Sequence, residues 1–238
     1  MKKSRSRWAV SILAMLLFAS LLVAFPGCFG GEPGVEEIWE NSQEADNNIN
    51  SYHMEIAILY ENTDLGGGQI QTFTYDVNGN NVHATGSIFG QSFSEIIVVG
   101  GKQYSRTMGQ EEWTEQAVTV NPQAVSENLG GFADLPAIAT SSENLGLETV
   151  DGQEVYHLAF TLDPEDVAGL FGSVDPAQLS ANAGGNVDVW VEKDTDYRIK
   201  YEALVRNVLI TQQIGYGDTH LIINITNINE PVNINPPQ

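Results

Sequence analysis

Apolar and polar residues alternate with a period of two through much of this chain. Such a pattern, repeated in several runs, builds an antiparallel sheet with one apolar face and one solvated face. In "RIKYEALVR", Ile199, Tyr201, Ala203 and Val205 are predicted to face inward, with Arg198, Lys200, Glu202 and Arg206 facing out. In "YHMEIAILYE", Tyr52, Met54, Ile56, Ile58 and Tyr60 share one face, while His53, Glu55 and Glu61 share the other. Further strands are expected in "QIQTFTYDV", "NVHATGSIF", "SFSEIIVVG", "EEWTEQAV", "NVDVWVEK", "LITQQI" and "THLIINITNI". Turn signals separate them: "NGN", Gly100-Gly101, the "DTD" of 194–196, and Asp151-Gly152 inside "LETVDGQEVYHLAFTLD". Asp-Gly between alternating runs is a strong sign of a two-residue hairpin.

Helices enter this pattern at three places. Val35, Ile38, Trp39, Ala45, Ile49 and Tyr52 recur at helical spacing and predict an amphipathic helix over roughly 35–50. Residues 121–145 hold Asn121-Pro122, Gly130-Gly131 and Pro136, and read as two short helices joined by a flexible loop. Asp-Pro opens "DPEDVAGLFG" and "VDPAQLS", a cap followed by a residue suited to a first turn, so short helices are expected around 164–171 and 176–180. The prolines of "EPVNINPP" keep the tail extended. The fold class is therefore α+β: an N-terminal helix, a long antiparallel meander, inserted short helices and more meander. A one-faced sheet needs cover. Short, glycine-broken helices cover it incompletely and leave room for a ligand.

The N-terminus carries a different signal. "MKKSRSR" is basic, Trp8 to Phe25 is uncharged and apolar, and the lone cysteine, Cys28, follows in "FPGC". These are the parts of a secretory signal. The run is also near the ~18 residues at which a spanning helix becomes possible. Gly27-Cys28 resembles the end of a bacterial lipobox, where the thiol receives a diacylglycerol, although Phe25 and Pro26 depart from it. Two readings thus compete: lipidation at Cys28 or a retained, uncleaved helix. Both put the remainder outside the cytoplasm. The expected organisation is a signal peptide over 1–27, a lipidated cysteine and flexible tether over 28–34, and one domain over 35–238. With a single cysteine, no disulfide within the chain supports the fold.

Four of the ten Lys and Arg fall in the leader and none of the 31 Asp and Glu does, so the exported part is more acidic than the formal net charge of −21. Such a surface repels nucleic acid and anionic headgroups. Catalytic signals are few. His53, His83, His157 and His220 each sit singly on a predicted strand, without metal-ligand spacing. No G-x-S-x-G elbow occurs. "GGGQ" (66–69) and "GGKQ" (100–103) lack the phosphate-loop pattern and read as turns. Glu192, Asp194 and Asp196 cluster in "EKDTDY" but lack the later residues of a calcium loop, which leaves a polar turn with at most weak calcium binding. No catalytic residue, metal or cofactor is expected. Phe132, Leu135 and Ile138, then Val167, Leu170 and Phe171, put apolar side chains on the short helices, as core or as the mouth of an apolar pocket.

Several phrases taken in order suggest a family. The leader ending at Cys28, the helix entering "SYHMEIAI", "IIVVGGKQYSR" with Trp113 beyond, "VDGQEVYHLAFTLDP", "VDVWVEKDTDYRIKYE" and "THLIINITNINEPVNINPP" together resemble the LppX/LprG (LppX_LprAFG) group of bacterial lipoproteins. These are relatives of the LolA lipoprotein carrier and the RseB sensor domain. The resemblance implies a large curved antiparallel sheet forming a half-open β-barrel, whose concave face is covered by helices and encloses acyl chains. It also implies a non-catalytic lipoprotein on the outer face of the bacterial cytoplasmic membrane, carrying lipid or glycolipid to the outer envelope. An RseB-like module binding an envelope protein, or a structural lipoprotein without cargo, are the alternatives. Alternation supplies the candidate inward residues: Met54, Ile56, Ile58, Ile97, Val99, Leu158, Phe160, Val189, Ile199, Leu221 and Ile223. The helix residues Phe132, Leu135, Ile138, Val167, Leu170 and Phe171 join them.

Overall fold

The computed structural model describes residues 32–64, 66–107, 109–119, 132–170 and 176–237, and those from Gly34 onward belong to one compact unit, Gly34–Gln238. The N-terminal helix, α1 (Val35–Asp46), follows Pro33-Gly34 and carries Glu36 and Glu37 in its first turn, where the helix dipole favours them. It is shorter than the expected 35–50, because Asn47 and Asn48 turn the chain by donating their side-chain amides to the carbonyls of Gln43 and Glu44. Ile38, Trp39 and Ser42 form its buried stripe.

Eleven described strands follow: β1 (Ser51–Thr63), β2 (Gly66–Asn78), β3 (Asn81–Ile88), β4 (Gln91–Val99), β5 (Lys102–Thr107), β6 (Thr114–Gln116), β7 (Ser141–Val150), β8 (Gln153–Leu162), β9 (Leu179–Glu192), β10 (Arg198–Thr211) and β11 (Gly215–Thr226). They form one antiparallel sheet in the order β6-β5-β4-β3-β2-β1-β11-β10-β9-β8-β7. The first and last strands pair at its centre, and β6 and β7 are left as its two edges. This is the open, curved sheet of a half-barrel.

The inserted segments differ in detail from expectation. Within 121–145 the described part holds only a four-residue helix, α2 (Leu135–Ile138), and Ser141 already begins β7. The rest of that stretch lies outside the described residues. Helix α3 (Pro164–Leu170) falls where expected. The next is a single 3-10 turn, Pro176–Gln178, because Leu179 enters β9. Gly66–Gly68, read as a turn, opens β2 against β1 instead.

Register defines the inner face. One row runs Gly86, Phe73, Ile56, Ile223, Tyr201, Val189 and Leu158 from β3 to β8. The next runs Ile88, Gln71, Ile58, Leu221, Ala203, Val187 and Phe160. Over β8–β10 this face is a dry core, with Leu158, Val187, Val189, Ala203 and Val205 all fully buried. Helix α3 docks there by setting Val167 on the backbone of Gly185, where a Cβ would stand 2.4 Å from the valine methyl. Burial at this density over several branched side chains is the main stabilising term of the fold.

Candidate functional site

The inner face is covered unequally. Over β8–β11 its apolar residues are buried under α1, α2 and α3. Trp39 of α1 meets Phe160 edge-on at 5.3 Å, and its indole N–H donates to the Ala133 carbonyl, which Gln43 also caps. Phe132 packs against Tyr201 at 5.0 Å. Over β1–β4 the face divides along the strands: Tyr52, Met54, Val77, Val82 and Val98, toward the β2–β3 turn, are buried, while Ile56, Ile58, Phe73, Tyr75, Ala84 and Ile96, toward the β3–β4 turn, are only half-buried. Phe93 folds over Gly86, where a Cβ would meet its ring at 2.7 Å, and reaches Phe73 edge-on at 6.0 Å. Among the described residues this stretch of the inner face is apolar and only partly covered.

The sequence-derived candidates divide accordingly. Met54, Ile56, Ile58, Leu221 and Ile223 lie on the inner face of β1 and β11. Leu158, Phe160 and Val189 belong to its packed half, with Phe132, Leu135 and Val167 buried above them and Ile138 and Leu170 at the margin. Three strand candidates are misplaced. In β4 the inward residues are Ile96 and Val98, which face Ala84 and Val82, so Ile97 and Val99 lie on the outer side. "IIVV" offers no alternation from which to choose the parity. Ile199 sits in a bulge between Arg198 and Lys200 and takes no part in the core. Cys28 and Phe171 lie outside the described residues.

The same bulge turns Arg198 inward, against expectation, opposite Val191. Its guanidinium is buried, pairs with Asp46 at the end of α1, and lies 4.9 Å from the Trp39 ring and 6.0 Å from Tyr201. Its Nε and Nη1 are buried without a hydrogen-bond acceptor, and the charge is met by the faces of these rings. Alternation assigns Arg198 to solvent, and no sequence signal marks the bulge. The inner face also desolvates its tyrosines. Burial, assisted by Tyr75, pushes the Tyr52 hydroxyl up to about 12, and burial likewise raises Tyr75 and Tyr201.

Titratable groups gather on the outer face. All four histidines stand there beside carboxylates: His53 at 2.7 Å from Asp76, His83 at 2.8 Å from Glu95, His157 at 3.0 Å from Asp188, and His220 at 3.5 Å from Glu202. Among the described residues no group of three or more His, Cys, Asp or Glu is arranged to hold a metal ion. Glu192, Asp194 and Asp196 occupy a hairpin turn, where the Thr195 hydroxyl bonds Glu192. Among the described residues the site is thus an apolar surface without convergent reactive groups. It can hide alkyl chains from water.

The family model described as LppX_LprAFG lipoprotein matches residues 35–234, nearly the whole unit. The chain belongs to the LppX_LprAFG lipoprotein family. This LppX_LprAFG protein is similar to the crystal structure of the Mycobacterium tuberculosis lipoprotein LppX, at 18% identity and a TM-score of 0.53, covering 83% of this chain and 96% of that one. It is also similar to LprF from Mycobacterium bovis, at 14% identity and a TM-score of 0.53, covering 85% and 96%. At these identities the likeness shows the shared fold. No curated protein matches the chain.

Proposed function

We propose that this LppX_LprAFG protein is a non-catalytic carrier that holds the acyl chains of a lipid or glycolipid against the half-covered inner face of β1–β4. In this reading Cys28 bears the anchoring lipid on the outer side of the cytoplasmic membrane, and the carrier moves its cargo from there toward the outer envelope. The supporting observation is the break in burial along one continuous row: Val189 and Tyr201 are buried, while Ile56 and Phe73 remain half-exposed. Water against those side chains is unfavourable. A bound acyl chain that removed a dozen methylenes from water would gain on the order of 10 kcal/mol before ordering costs. Family membership supports the lipoprotein part of the reading.

Native mass spectrometry of the full chain, purified from a lipid-rich bacterial host, tests it. The expected result is a copurifying acylated species at near one per chain. A chain without bound lipid that also fails to take up fluorescent lipids would end the carrier reading and favour a protein-binding or structural role. For the anchor, Cys28→Ser is expected to move the protein from membrane to soluble fractions. Retention in the membrane would instead favour the uncleaved helix.

A further inference from the structure

Antiparallel pairing brings the β1–β2, β3–β4 and β10–β11 turns to one end of the sheet. At the tip of the β3–β4 turn, Phe89 is 73% exposed and takes a left-handed backbone conformation, with φ 50°, ahead of Gly90 at φ 75°. Two-residue turns of this kind favour Asn, Asp or Gly at such a position. A phenylalanine there adds about 1–2 kcal/mol of backbone strain to the cost of an aromatic ring in water.

The surroundings are as unusual as the residue. From Gly86 to Ser94 there is no Asp, Glu, Lys or Arg, in a chain with 31 acids. The β10–β11 turn lies within another charge-free run, 207–217, and presents Tyr216 at 50% exposure. At the opposite end of the sheet the β7–β8 turn carries Asp151 and the β9–β10 turn carries Lys193, Asp194 and Asp196, while the uncharged β2–β3 turn at Gly79-Asn80 exposes no large apolar side chain. Asp64 in the β1–β2 turn and Glu111-Glu112 after β5 keep the rest of the Phe89 end polar, so the apolar contact is confined to tips. Phe89 is also continuous with the candidate lipid face. Behind it come Ile88, then Phe93 over Gly86, then Phe73, all of them half-buried side chains.

We propose that the β3–β4 tip, with Phe89 at its point, docks into the surface of a phospholipid bilayer, where lipid would enter or leave the inner face. Its purpose rests on the carrier reading, but the contact itself does not. Size decides between a bilayer and a protein partner. One aromatic on a two-residue tip buries roughly 150–250 Å². A stable protein interface needs about 1,000 Å² or more. A neutral, aromatic point suits the interfacial zone of a membrane. The strongly acidic body excludes electrostatic adsorption onto anionic lipid, so docking works by insertion and is insensitive to salt.

The test uses the full chain reconstituted in phosphatidylcholine vesicles that contain brominated phosphatidylcholine. Phe89→Trp is expected to show quenching beyond that of the native tryptophans and unchanged by added salt, whereas Leu147→Trp on edge strand β7 shows none. Absence of extra quenching at position 89 overturns the proposal. So does quenching that survives extraction into detergent free of brominated lipid, because that signal comes from bound cargo. Phe89→Asp is expected to slow lipid transfer between vesicles about tenfold, a change of about 1.4 kcal/mol in barrier, with bound lipid content unchanged. Transfer at the wild-type rate would overturn the proposed role of the tip. A wild-type chain that holds no lipid would remove the carrier reading, and the quenching alone would then decide docking.

Discussion

Arg198 shows how much one bulged residue can fix. By turning inward beside Trp39 and Tyr201 and pairing with Asp46, it ties the C-terminal end of α1 to the sheet. Removing one partner of a buried pair strands the other charge. Asp46→Ala is therefore expected to lower the unfolding free energy by about 3–5 kcal/mol, measured by urea denaturation. The double variant with Arg198→Met should recover much of that loss. Equal destabilisation by both variants would show that the pair itself is not the source. On the outer face, burial pulls His53 down, but hydrogen bonds and charge from Asp76 and Glu55 outweigh it and hold the ring above its usual value. The folded state thus binds that proton more tightly than the unfolded chain does. The stabilisation is complete below about pH 6.5 and is lost as pH rises through the folded value. Glu95 behaves oppositely: burial raises it, yet His83 and Arg106 hold it below the usual range. Its contribution is present above about pH 4.3 and fades as acid titrates it through the lower folded value. Thermal scans should show the melting midpoint falling from pH 6 to 8, with a shallower fall in His53→Gln. An unchanged slope in that variant would assign the pH dependence elsewhere.

Among the elements, α3 depends on a single glycine. Gly185→Ala sets a methyl 2.4 Å from Val167 and must push the helix off β9. The expected loss is about 1–3 kcal/mol, read from the urea midpoint, and a neutral result would mean that α3 does not seat there. Much of the sheet was legible because β1 and β10 alternate apolar and polar residues, so "YHMEIAILYE" reports its own inner face. Legibility failed where alternation stopped. "IIVV" in β4 is apolar on both sides, since Ile97 is buried on the outer face and Val98 on the inner one. It failed again at Arg198, where a bulge reverses parity without leaving a compositional mark. The short helices were announced by Asp-Pro, but their extent was not, because 3-10 turns and strand starts share the same small residues. The inequality between the two halves of the inner face could not be read from any strand. Ile56 and Val189 look alike in sequence, and their burial differs through which strands the helices happen to cross.

At the scale of the molecule, the described residues form an open eleven-stranded sheet with three helices, and part of its apolar inner face stays half-buried. The face is packed over β8–β11 and at the β2–β3 end of β1–β4, and is half-covered over the rest of β1–β4. Acidic groups occupy the outer face, while the β3–β4 and β10–β11 tips at one end are uncharged and expose Phe89 and Tyr216. In the proposed carrier this division supplies a packed floor, an apolar track and an uncharged contact point. The most direct measurement of the central claim is the affinity of a fluorescent acyl probe for wild type, Phe73→Asp and Thr72→Asp. Phe73 lies in the inner row and Thr72 on the opposite side of the same strand. Binding by Phe73→Asp at least about tenfold weaker, a loss of about 1.4 kcal/mol, with Thr72→Asp unchanged, is the result expected if the half-covered face holds the lipid. Equal affinity in all three proteins would contradict it.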